Sequence, residues 1–282
     1  AEHVGEYLSF LRKQPFPVYA YGEVLSVDEK MQREYMEPLS MPTTDFALTV
    51  YLNDVAKKLA DVKTVSEGAR VAAARAAKAE GLGALLSGAR PTTSPEAPAL
   101  AADSVRFARN HDTVQNDGSF YGLGGSAIAA RVVWAWLLAV NDGTVLMYPE
   151  DILDAKCAPV LTRALKFRSS AGARAERTEV CVRCTGKPGA KVHRPALVSI
   201  VLRNAEGGVE GLCLLNLLRD KKLRVGTVPL NSQAGGEEAS LLSEDGSAVT
   251  MLADGRLVDD SGSPHTVLIP PWDGLFLVDA PF

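Results

Sequence analysis

Apolar positions change their rhythm once along this chain. As far as about residue 171, runs with strand-like spacing alternate with runs at helical spacing; beyond it only short strand-like runs remain. Val4, Tyr7, Leu8, Phe10 and Leu11 make a stripe that predicts a helix over 4–14, stopped by Pro15. The apolar run from Phe16 to Val24 predicts a buried strand, and 43–49 a second, shorter one. A helix over 50–59 follows, with Val50, Leu52, Val55, Ala56 and Leu59 inside. Ser66 is a fitting N-cap for an alanine-rich helix over 67–80 that Gly81 and Gly83 end, and 88–98 reads as a surface loop. Val105 and Phe107 alternate with Arg106 and Ala108, which predicts a strand over 104–110. Next come a strongly apolar helix over 128–140, a turn at Asn141-Asp142-Gly143, a strand over 144–148 and a helix over 151–167. Such alternation implies a parallel sheet with crossover helices, and four strands are half of an eight-stranded barrel.

After residue 172 the expected strands are 178–184, 196–203, 209–217, 223–230, 248–252, 256–258, 265–270 and 274–279. Lys187-Pro188-Gly189 and Glu206-Gly207-Gly208 supply turns between them, and Gly235 to Glu238 a longer loop. Short strands at this spacing argue a separate antiparallel sandwich. The expected fold class is therefore α/β, a half-barrel domain over 1–171 followed by an all-β sandwich over 172–282.

Composition narrows the function. With 282 residues, 46% apolar and 23% charged, the chain can build a large core in about two domains. A formal charge of −4 offers no basic field for nucleic acid. No run of 18 apolar residues exists to span a membrane, and the compartment stays open. Cys181-Val182-Arg183-Cys184 has the gap of a zinc knuckle but lacks a second pair, so ordinary thiols are expected and no metal site. Gly122, Gly124 and Gly125 echo a phosphate loop without its lysine or the full dinucleotide spacing.

Chemistry concentrates at two strand ends. Phe107-Ala108-Arg109-Asn110-His111-Asp112 delivers an imidazole and a carboxylate to the C-terminal end of its strand, where α/β barrels present catalytic groups. The plainer alternative is a turn in which Asn110 and Asp112 cap the next helix. Some 85 residues earlier, Gly22-Glu23-Val24 ends another apolar strand in one carboxylate, which is costly there without a task or a partner. The two acids would face each other across one cleft.

With these residues laid out, the chain resembles the C-terminal half of the α-amylase family of glycoside hydrolases. Gly22-Glu23-Val24 is similar to the end of that family's fifth barrel strand, which carries the general acid/base. Phe107, His111 and Asp112 match the Phe-x-x-x-His-Asp pattern ending the seventh. Gly143-Thr144-Val145-Leu146-Met147-Tyr148 looks like the eighth, and a β-sandwich follows. The resemblance implies that Glu23 is the acid/base and that Asp112 holds substrate hydroxyls and distorts the sugar. It also implies that His111 binds the same ring and that His3 touches the leaving-group side. Tyr21 would offer an aromatic face to a sugar, or simply pack.

The family's nucleophile is an aspartate on the fourth strand, two residues before Ala-Lys-His-Val or a variant, and Ala1-Glu2-His3-Val4 is similar to that tail. The resemblance thus implies a chain that takes up just after the nucleophile, with Glu2 where lysine is usual. It expects no cofactor in this chain, since the family's calcium site would lie in the missing half. Three readings follow: the C-terminal portion of a retaining α-glucan hydrolase or transglycosylase; a catalytically silent amylase-like subunit that binds glycans or builds an assembly; or an unrelated α/β protein in which Glu23 and Asp112 are structural. Half a barrel exposes raw sheet edges, so a companion chain or segment is expected beside the oligosaccharide.

Overall fold

The computed structural model describes residues 2–16, 18–25, 31–32, 34, 37, 41–46, 48–49, 52, 104–108, 110, 127–141, 143–185, 194–218, 221–230, 238–242 and 247–279. The helices expected over 67–80 and most of 50–59, the 88–98 loop, the Gly122–Gly125 run, and the Lys187–Gly189 and Gly235–Glu237 turns lie outside these residues.

The first helix, α1, spans Glu2–Arg12 and winds down through turn bonds from Lys13 and Gln14 before Pro15. Only part of its expected stripe is buried. Leu8 packs with Met41, Val4 and Ala20, while Tyr7 and Phe10 stand exposed. The segment expected as a strand over 16–24 makes one parallel bridge, between Gly22 and Thr43. From there the chain builds a parallel sheet of β1 (Thr43–Thr44), β2 (Ser104–Phe107) and β3 (Thr144–Leu146), neighbours in chain order. All four residues of β2 are buried, as a strand covered on both faces requires.

This sheet curls. Counting the segment that bridges through Gly22, its outer members are three ladder steps of roughly 4.8 Å apart, yet the Tyr19 hydroxyl of that segment donates to Thr144 Oγ1 of β3 at 2.9 Å.

The strand expected over 43–49 ends at Thr44, and residues 46, 48, 49 and 52 are helical. The cause is Asp45, whose Oδ1 accepts the Leu48 N–H at 2.9 Å while its carbonyl accepts from Thr49 at 3.1 Å, as an N-cap does. Helix α2 (Ala127–Ala139) is apolar but for Arg131 and correspondingly buried, with Trp134 and Leu137 fully enclosed. Asn141 then takes φ 57° and Gly143 φ 61° in the expected turn into β3.

The helix expected over 151–167 is two helices. These are α3 (Pro149–Leu153) and α4 (Ala158–Phe167), continued by a π turn over Arg168–Gly172. Asp154 breaks the run by accepting the Lys156 and Cys157 N–H groups on its side chain. Pro159 then sits in the first turn of α4, where its missing N–H costs nothing.

The remainder is antiparallel. Seven strands lie in the spatial order β10-β9-β8-β12-β6-β5-β4. In chain order they are β4 (Arg177–Thr185), β5 (Arg194–Arg203), β6 (Val209–Asn216), β8 (Ala239–Leu242), β9 (Ala248–Met251), β10 (Leu257–Val258) and β12 (Gly274–Asp279). A two-stranded ribbon pairs β7 (Leu223–Val225) with β11 (Val267–Ile269). The sequence pattern missed β8 and overextended β7 to residue 230. The Glu206-Gly207-Gly208 turn stands as expected, with Gly207 at φ 93° joining β5 to β6.

Side chains alternate across the large sheet. Val198, Ile200, Leu202, Cys213 and Leu215 share one core with α2 and α4; Leu197, Val201, Leu212 and Leu214 share another with Val225 and Ile269 of the ribbon. Phe167 of α4 meets Phe276 of β12 at 5.6 Å. Arg163 of α4 pairs with Asp273 and donates to the Gly274 carbonyl at 3.0 Å, tying the helix layer to the sheet. No described helix is long and apolar enough to cross a membrane.

Candidate functional site

The backbone on both sides of Glu23 is anchored. The Gly22 N–H donates to the Pro42 carbonyl at 2.8 Å and its own carbonyl accepts from Thr44 at 3.0 Å. One residue on, the Val24 N–H donates to Thr44 Oγ1 at 3.2 Å. Gln32, fully buried, closes the back of this junction by donating to the Thr44 carbonyl at 3.1 Å. Glu23 itself is exposed, so its carboxylate stands at the C-terminal rim of the parallel sheet without the cost of burial.

Across that rim lies Asn110, three residues past the end of β2 and 4% exposed. Its Nδ2 donates to Glu23 Oε1 at 3.0 Å, bridging the ends of two strands that have β1 between them. Asn110 was read from the sequence only as a possible helix cap; its contact lies 87 residues away, beyond any local pattern.

Tyr19 and Tyr21 stand two residues apart in the segment that leads to Glu23. The Tyr19 and Tyr21 rings sit 6.3 Å apart, tilted by 39°, and both are exposed. His3 lies in α1, and its side chain is outside the described residues, as are His111 and Asp112 entirely. Of these residues the structure brings Glu23 together with Asn110, the residue that precedes the His-Asp motif in the chain.

Arg106 is a further group that the pattern passed over. It is buried in the middle of β2, four residues before Asn110.

Elsewhere the titratable groups serve packing. Burial, and then Glu179 beside it, push the Cys181 thiol up, which disfavours the thiolate that a metal needs. Burial pushes Cys213 well up. Among the described residues no cluster of His, Cys, Asp or Glu has the arrangement of a metal site.

No protein-family model and no curated protein matches the chain. Solved structures do. An α-amylase from Geobacillus thermoleovorans complexed with acarbose gives a TM-score of 0.56 at 12% identity, covering 98% of this chain and 56% of that one. An Anoxybacillus α-amylase gives 0.52 at 12%, covering 99% and 56%. A cyclomaltodextrin glucanotransferase with a three-domain ABC distribution gives 0.57 at 12%, covering 100% and 54%. The chain spans just over half the length of each. At this identity the likeness is one of fold: the chain is similar to the C-terminal half of α-amylase-type structures.

Proposed function

We propose that this chain supplies the acid/base half of a retaining α-glucan hydrolase or transglycosylase. The supporting observation is the Asn110–Glu23 hydrogen bond. It joins the C-terminal ends of the two strands to which the family resemblance assigns the acid/base and the His-Asp motif. In this reading residues 1–171 are half of a (β/α)8 barrel and 172–282 its C-terminal sandwich. Glu23 protonates the glycosidic oxygen and then activates water or an acceptor sugar. Asp112, two residues past Asn110, holds hydroxyls of the ring being cleaved, with His111 on the same ring. Tyr21 lends an aromatic face beneath, and His3 lies on the leaving-group side.

Retention also requires a second carboxylate roughly 5 Å from the acid, to attack the anomeric carbon. A companion chain or segment supplies it in this reading, together with any calcium site. The apolar edge of the parallel sheet supports such a companion. Phe16, Val18, Tyr19, Tyr21 and Leu25 are exposed, as are Tyr7 and Phe10 of α1. Among the described residues their segment has a ladder neighbour on one side only. Exposed apolar surface of this kind marks an interface.

The test is hydrolysis of starch or maltooligosaccharide by the intact protein, with and without Glu23→Gln. Turnover falls about 10²- to 10⁴-fold if Glu23 is the acid; equal rates exclude it. Acarbose, the ligand of one similar structure, serves as a binding probe. Binding without turnover in the unaltered protein identifies a silent glycan-binding subunit instead.

A further inference from the structure

Glu23 has three side-chain torsions and stands exposed, so fixing it in one orientation costs rotamer entropy. An acid that must meet a glycosidic oxygen needs that cost met in advance. Among the described residues Glu23 makes one hydrogen bond, and its donor is Asn110. The donor is itself held, being 4% exposed at the end of β2.

The chemistry of this contact is one-sided. A primary amide nitrogen carries only hydrogens, so the carboxyl oxygen 3.0 Å away can only accept there. A carboxylic acid places its proton on either oxygen. An oxygen already accepting from an N–H is the poorer place for it, because the added O–H would crowd that donor.

We propose that Asn110 is a positioning residue: it pins the Glu23 carboxyl by Oε1 and thereby commits the catalytic proton to Oε2. This rests on the reading of Glu23 as the acid/base. In the first step the Oε2 proton passes to the glycosidic oxygen while the bond from that oxygen to the anomeric carbon breaks. The bonding pair stays with the departing oxygen, and Glu23 is left as the carboxylate. The anomeric carbon accepts an electron pair from the companion's carboxylate nucleophile, forming the glycosyl ester. Asn110 touches neither sugar nor nucleophile in this step; it sets which oxygen acts and where.

Leaving-group dependence tests this. The intact protein and its Asn110→Leu and Asn110→Ala variants are assayed on a maltooligosaccharide, which needs protonation to leave, and on α-maltosyl fluoride, which does not. Asn110→Leu keeps a similar volume while removing the donor and adding no charge beside Glu23, and a thermal melt confirms that each variant is folded. The expected result is a fall in kcat/KM of about 10- to 100-fold on the oligosaccharide and less than about 3-fold on the fluoride. Equal losses on both substrates would show a structural role, and no loss on either would show none; both overturn the proposal. Glu23→Gln, run in parallel, separates the two ideas. If it matches the unaltered protein on both substrates, the acid/base assignment has failed, and the positioning role with it. If it loses the oligosaccharide alone while Asn110→Leu and Asn110→Ala lose nothing, only the positioning role has failed.

Discussion

Asp45 decides where a strand becomes a helix, and it does so through one oxygen. The Thr43-Thr44 pair has strand propensity, and the apolar run beyond it reads as its continuation. The Asp45 side chain instead caps the Leu48 N–H and starts the helix four residues earlier than hydrophobic spacing indicates. Asp45→Ala is expected to cost about 1 kcal/mol in urea unfolding, the usual price of a lost cap. At Asp279, burial and the neighbouring Glu210 raise the carboxyl above its usual range. A carboxyl raised on folding contributes stability below its unfolded titration point and loses it as pH climbs through the folded one. Asp279→Asn should therefore raise Tm near pH 7 and leave it unchanged near pH 3, where both side chains are neutral. Single residues also mark how far the site was legible. Glu23 declares itself as an acid ending an apolar run, whereas Asn110 becomes a site residue only once folding brings it to Glu23.

At the scale of elements, the pattern recovered what hydrophobic periodicity can encode and lost what punctuation encodes. Helix α2 and strands β2, β5, β6 and β12 lie where apolar spacing put them, because each carries a run of buried apolar side chains. The expected single helix over 151–167 failed at Asp154 and Pro159, two residues whose effect is local hydrogen bonding rather than polarity. Strand β8 escaped because four residues after a glycine-rich loop carry too little alternation to stand out. One element contact is tight enough to test. A Cβ on Gly211 of β6 would lie 2.6 Å from the Ala171 Cβ and 2.7 Å from Phe167 Cε2. Gly211→Ala should therefore push the π turn off the sheet and destabilise by about 1–3 kcal/mol, read as a lower denaturation midpoint with an unchanged m-value.

Over the whole molecule, the helix layer is held by charge as well as by packing. Asp273 takes Arg163 of α4 on one oxygen, with Arg131 of α2 at 3.6 Å from the other. Asp273→Ala strands two partly buried guanidinium groups and is expected to cost about 1–3 kcal/mol. The exposed edge near Tyr7, Phe10 and Phe16 makes the opposite prediction. Without a companion this chain should self-associate with rising concentration in sedimentation, and Phe10→Glu with Phe16→Glu should lessen it. A dilute monomer that is already stable would remove the argument for a companion.

The shared core of α2, α4 and the seven-stranded sheet bears on how the protein can be dissected. Residue 172 looks like a place to cut, since the rhythm of the chain changes there. Yet a fragment ending at that point would bare the faces of α4 and α2 that now rest on Ile200, Leu202, Cys213 and Leu215. Severing the chain there divides a single greasy interior, and neither product inherits enough of it to remain soluble alone.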